Sequence, residues 1–145
     1  MSMMSLAKHI IAVAQKEEIK ITNLQLQKVL YFTIINGLKE GLITKMWLKK
    51  EYDEKFLVWR YGPVVETVYE HYSIFGASPI FLSESENEKY TYLNCIINTL
   101  LKEKISRLVR DSHTHSHWKN HETEINFGRS EVPYLLEDLE NAARE

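Results

Sequence analysis

The sequence predicts a mainly α fold: a compact bundle of about five helices with a short β-hairpin or extended segment between the second and third helices. Three observations carry this. Apolar residues recur at helical spacing over most of the chain. Three prolines and five glycines are too few to break it into many turns. Between residues 42 and 59 the helical period is lost, and the apolar runs Met46-Trp47-Leu48 and Phe56-Leu57-Val58-Trp59 flank a charged stretch. At 145 residues the chain fits a single domain, 1–145, and burial of roughly two-thirds of its unfolded surface would give a core without staples.

The elements follow in order. The first helix is expected from about Met4 to Glu17, with Leu6, Ile10, Val13 and Ala14 on one face. Thr22 with Gln25 reads as a capping box that opens a second helix, running to about Glu40 and stopped by Gly41. Its apolar residues spread around most of the circumference, the pattern of a buried central helix. Two short strands around a turn are the simplest reading of 42–59. Gly62 supplies conformational freedom, and Pro63 suits the first position of a third helix reaching about Phe75. After a loop marked by Gly76 and Pro79, a long fourth helix is predicted from about Asn87 to Val109. A histidine-rich turn spans Asp111 to His121. A last helix is expected over Val132 to Arg144, capped by Ser130 with Pro133 in its first turn.

Composition narrows the function classes. The net charge of -2 and pI near 6.3 disfavour dominant phosphate binding. A lone cysteine, Cys95, rules out an internal disulfide framework and fits a reducing compartment. No apolar run approaches the roughly 20 residues of a membrane span, and no basic leader precedes an apolar core. A soluble cytoplasmic protein without membrane association is the expectation.

Candidate chemistry is sparse. His113, His115, His117 and His121 fall within nine residues, and the last two would share a helix face. A metal site needs three or four convergent ligands, and only Glu122 and Glu124 stand near, so no metal site is assigned. Cys95 sits in an apolar helix pattern, the setting of a small inert core residue. Neither a Gly-x-Ser-x-Gly nucleophile nor a glycine-rich phosphate loop is present, and enzymatic turnover is not expected. For DNA reading, only Gln25, Gln27 and Lys28 of the second helix could contact base edges; Lys45, Lys49, Lys50, Lys55 and Arg60 form a basic area diluted by acids. The aromatics Trp47, Tyr52, Phe56, Trp59, Tyr61, Tyr69 and Tyr72 cluster in the middle third. Any left exposed would suit a protein partner.

Three segments stand out together: Leu26-Gln27-Lys28-Val29-Leu30-Tyr31-Phe32, then the stretch from Trp59 through Gly62, Pro63 and Val64 to Tyr69, then Ser112-His113 with Trp118-Lys119. In order and spacing they resemble the Panacea antitoxin domain of phage-associated GepA-like and SocA-like proteins, over nearly the whole chain from about Leu6 to Leu139. The family's Leu-Gln-Lys-Leu-Leu-Tyr-Phe falls on residues 26–32, and its Trp-x-x-Gly-Pro-Val on Trp59, Gly62, Pro63 and Val64. Its Thr-His falls on Ser112 and His113, and its Pro-Trp on His117 and Trp118. Departures concentrate in the late turn: serine at 112, histidine at 117, and His121 near a usual small residue.

The resemblance implies a bacterial or prophage antitoxin that binds and suppresses a cognate protein toxin encoded nearby, without cofactor or turnover. Gln27, Lys28 and Tyr31 are expected to lock the second helix to the Gly62-Pro63 turn, with His113 and Trp118 closing the region from the late turn. The alternatives are a DNA-binding transcriptional regulator of a mobile element and a metal-dependent hydrolase using His117 and His121. The sequence leaves the toxin, the oligomeric state and the mode of neutralisation open.

Overall fold

The computed structural model describes residues 2–145. Helix accounts for 62% of it, so the mainly α expectation holds, with eight α-helices among the described residues instead of about five. None is long and apolar enough to cross a membrane.

The centre is α2 (Asn23–Lys39). Thr22 and Gln25 form the capping box, Gln25 N–H donating to Thr22 Oγ1 at 3.2 Å and Thr22 N–H to Gln25 Oε1 at 2.9 Å. Gly41, at φ +74°, follows its end. Burial runs right around α2, from Leu26 through Ile35, and α1 (Ser2–Lys16), α5 (Asn94–Leu101), α6 (Ile105–His113) and α8 (Leu136–Arg144) pack against it.

The stretch between α2 and the hairpin differs from expectation. Met46-Trp47-Leu48 is not a strand but part of α3 (Lys45–Glu51), capped by Thr44, whose Oγ1 accepts from Trp47 N–H at 3.1 Å. Seven residues with only Leu48 and Glu51 buried are too few to show a helical period. The hairpin lies further on: β1 (Phe56–Trp59) pairs antiparallel with β2 (Gly62–Val65), joined by Arg60 and Tyr61. Pro63 therefore does not open a helix. It lies in β2 opposite Val58, at a position whose N–H would point away from β1, so its missing donor costs no ladder bond. The third helix, α4 (Glu66–His71), starts three residues later and gives way to a 3₁₀ turn at Ser73–Phe75.

Two other expectations are corrected. The predicted fourth helix is divided into a 3₁₀ segment (Glu88–Leu93), α5 and α6. The i→i−3 bonds Lys102 N–H to Thr99 O and Glu103 N–H to Leu100 O tighten the end of α5, and extended Lys104 restarts the chain. Both helices face the core, so the apolar period runs unbroken across the corner. The last helix begins at Leu136, not Val132. Val132, Pro133 and Tyr134 instead run along the free edge of β1: Val58 N–H donates to Val132 O (2.9 Å) and Tyr134 N–H to Phe56 O (2.8 Å). Ser130 caps no helix; its hydroxyl donates to Val58 O at 2.5 Å. Asp138 caps α8, its carboxylate accepting Leu135 N–H at 2.7 Å. Between α6 and α8 lies α7 (Ser116–His121).

Candidate functional site

In an antiparallel pair, alternate residues turn their backbone polar groups outward. On β2 the outward groups include Pro63 O and Val65 N–H, and α2 meets both with side chains. Lys28 Nζ donates to Pro63 O at 2.5 Å and Val65 N–H donates to Gln27 Oε1 at 3.0 Å. Gln27 Nε2 continues to Asn23 Oδ1 (3.2 Å), and Asn23 Nδ2 to Tyr69 O (2.9 Å). One chain of hydrogen bonds thus fastens α2, β2 and α4. Lys28 and Gln27 are fully buried, so α2 presents no face for reading base edges. Burial in the absence of a paired carboxylate lowers the Lys28 ammonium to about 7.

Gly62 is held in this clamp. It carries the hairpin turn at φ +103°, while Arg60 and Tyr61 keep negative φ. A Cβ there would lie 2.9 Å from Lys28 Cε and collide with Ser112 Oγ, whose hydroxyl donates to Val109 O. Ser112 thus marks where α6 meets the turn.

The late segment closes over the hairpin. Trp118 Nε1 donates to Trp59 O at 2.9 Å, and the His113 ring stacks on Trp118 with centroids 3.7 Å apart. Burial pushes the His113 imidazole below its ordinary value, against a hydrogen bond to the Arg60 backbone that favours the charged form. Trp59 meets Tyr69 edge-on at 5.2 Å, and the Arg129 guanidinium lies 4.3 Å over its ring.

Not every residue of the three segments joins this cluster. The Tyr31 hydroxyl lies 2.6 Å from His115 Nδ1, away from the turn. Burial raises the Tyr31 phenol and lowers the His115 imidazole, so both favour their neutral forms across this hydrogen bond. Leu26 and Phe32 are core residues, and Lys119 is exposed on α7. His117 and His121 do share a face, 4.6 Å between centroids, but His117 Nε2 lies 2.9 Å from Pro133 O and its Nδ1 3.3 Å from Asp138 Oδ1. Among the described residues no group of three potential ligands is placed to hold a metal. Cys95 is exposed on α5, not in the core.

The clamp forms one side of an open cleft of about 1210 Å³. Gln27, Trp59, Val64, Tyr69, His113 and Trp118 all line it. A loop that sequence reasoning missed, Ile125 to Arg129, lines it too, tied to the hairpin by Arg60 N–H to Gly128 O at 2.9 Å. Its tight turn puts both Phe127 (φ +53°) and Gly128 (φ +84°) in the left-handed region, leaving the Phe127 side chain 99% exposed at the rim. Asn126 and Gly128 were the available turn signal; nothing local marked Arg129 as the residue that covers Trp59. Two buried polar atoms on cleft residues, Trp59 Nε1 and His113 Nε2, have no hydrogen-bond partner among the described residues. Comparison with family models, curated proteins and solved structures yields no match, so the resemblance stands on the residues of the three segments.

Proposed function

We propose that this chain is an antitoxin that binds and suppresses a cognate protein toxin encoded beside it. The carrying observation is that three segments far apart in sequence, the same three that resemble the Panacea domain, gather around the Gly62 turn and line one cleft. Much of this apparatus is scaffold: Lys28 and Gln27 are spent on the backbone of β2. What remains for a partner is the aromatic and cationic surface that the scaffold holds open.

The test is growth of cells expressing the flanking gene alone and then with this chain. Arrest by the neighbour and recovery on co-expression is the expected outcome, followed by co-purification of the pair. A harmless neighbour, or arrest that persists although this chain is expressed and folded, overturns the pairing.

A further inference from the structure

The cleft has a chemical preference. Its charged lining residues are Arg60, Arg129 and Glu122, so it is locally cationic on a chain of net charge -2. Arg60 is exposed at the tip of the hairpin. Arg129 has only a long, solvent-exposed contact to Glu66, 3.8 Å, and is otherwise held by Trp59 and Tyr69. The N-terminus of α2 opens into the same space through Thr22, Asn23 and Leu24. Its first turn carries no acidic residue, and the amides of Asn23 and Leu24 precede the first intrahelical bond, Leu26 N–H to Thr22 O at 2.9 Å. Two arginines and the N-terminal residues of a seventeen-residue helix thus line one space.

Between these charges the walls are apolar and aromatic, and Phe127 and Tyr61 stand exposed at the rim, at 99% and 54%. Trp59 is 7% exposed, forms part of the cleft wall under Arg129, and keeps its indole N–H buried. Two arginines are too few for nucleic-acid affinity built on phosphate contacts, whereas an aromatic anchor flanked by carboxylates would use both the arginines and the aromatic rim.

We propose that this cleft is the docking site for an acidic segment of a partner protein, one that sets an aromatic side chain against the exposed rim of Phe127 and Tyr61 and carboxylates against Arg129 and Arg60. The inference rests on the partner-binding reading above and names the chemistry of the partner's segment.

A random dodecapeptide library displayed on phage and selected on the intact chain tests it. Selected peptides are expected to carry an aromatic residue within two positions of Asp or Glu. The best of them, measured by fluorescence anisotropy, should bind Arg129→Glu at least tenfold more weakly and lose affinity with added salt. If Arg129→Glu fails to match the wild-type circular dichroism spectrum, Arg60→Glu at the exposed turn takes its place, with the same tenfold loss expected. Absence of selected peptides, selection of basic or uncharged ones, undiminished binding to the folded arginine variant, or tighter binding of a single-stranded dodecanucleotide would each overturn the proposal. The growth assay separates the two readings. Wild-type rescue that persists undiminished in the arginine variants leaves the antitoxin reading standing and removes the cleft. Failure of the wild type to rescue removes the pairing, while the peptide measurements still decide the cleft.

Discussion

Lys28 is placed at a physical cost. Its ammonium is fully buried, with Pro63 O as its acceptor, and burial lowers it to about 7, against an ordinary value of 10.5. Between those two values the unfolded chain holds a proton that the folded chain has released, so stability rises with pH across that window. Lys28→Met removes the titration but leaves Pro63 O without its donor, a loss of about 1–3 kcal/mol. Urea unfolding from pH 6 to pH 10 should therefore show the wild type gaining stability while the variant stays flatter, with the variant's deficit largest at the alkaline end. A flat wild-type profile over pH 7–10 would contradict this. Trp118 separates two contributions in the same way. Trp118→Phe retains an aromatic partner for His113 and loses the bond to Trp59 O, at about 1 kcal/mol. Trp118→Ala and Trp59→Ala, which empty buried volume, should each cost about 3–5 kcal/mol in the same measurement.

At the scale of elements, the hairpin depends on one glycine. Gly62 combines a left-handed φ with a close approach to Lys28 and Ser112, whereas Gly41 has φ +74° with nothing near its missing side chain. Gly41→Ala should cost about 1–2 kcal/mol from backbone strain alone, and Gly62→Ala about 2–5 kcal/mol because the collision adds to it. Equal denaturant midpoints for the two variants would show that α2 and α6 do not press on the turn. The same elements show what the sequence made legible. The capping box at Thr22 and Gln25 and the all-round apolar surface of α2 are local signals, and both the helix and its central position follow from them. The corner at Lys102–Lys104 is not, because two helices facing one core keep a common apolar period across a change of axis. Pro63 and Ser130 were misplaced for a related reason: a proline after glycine and a serine before an apolar run suit a helix start, and only the neighbouring strand decides otherwise. Of the cleft, the side formed by Trp59, His113 and Trp118 was visible as unusual segments. The side formed by Phe127 and Arg129 was not, since its meaning lies in contacts with residues some 70 positions earlier.

For the molecule as a whole, titrating groups of opposite tendency bracket a range of greatest stability. Burial lowers His113, His115 and His117, so the unfolded chain takes up protons first as pH falls below 6.5 and stability is lost on that side. Burial raises Tyr31, Tyr52, Tyr72, Tyr90 and Tyr134, so above pH 10 the unfolded chain ionises while the folded chain does not, and stability is lost again. With Lys28 continuing to favour the folded state above pH 7, the thermal midpoint should peak between about pH 8 and pH 10. A maximum at pH 6 would contradict the burial of these groups. The way the hairpin is bounded has a further consequence. A bare two-stranded hairpin is a template on both sides, ready to recruit a strand from another copy of the chain and so to begin aggregation. Here residues 132–134 run along one side, and on the other the side chains of Gln27 and Lys28 take the bonding positions a third strand would use. A helix thereby plays the part of a neighbouring strand without offering an edge of its own. Loosening that substitute, as in Gln27→Ala, would leave Val65 N–H without its acceptor and return to the hairpin the capacity for intermolecular pairing that the fold suppresses.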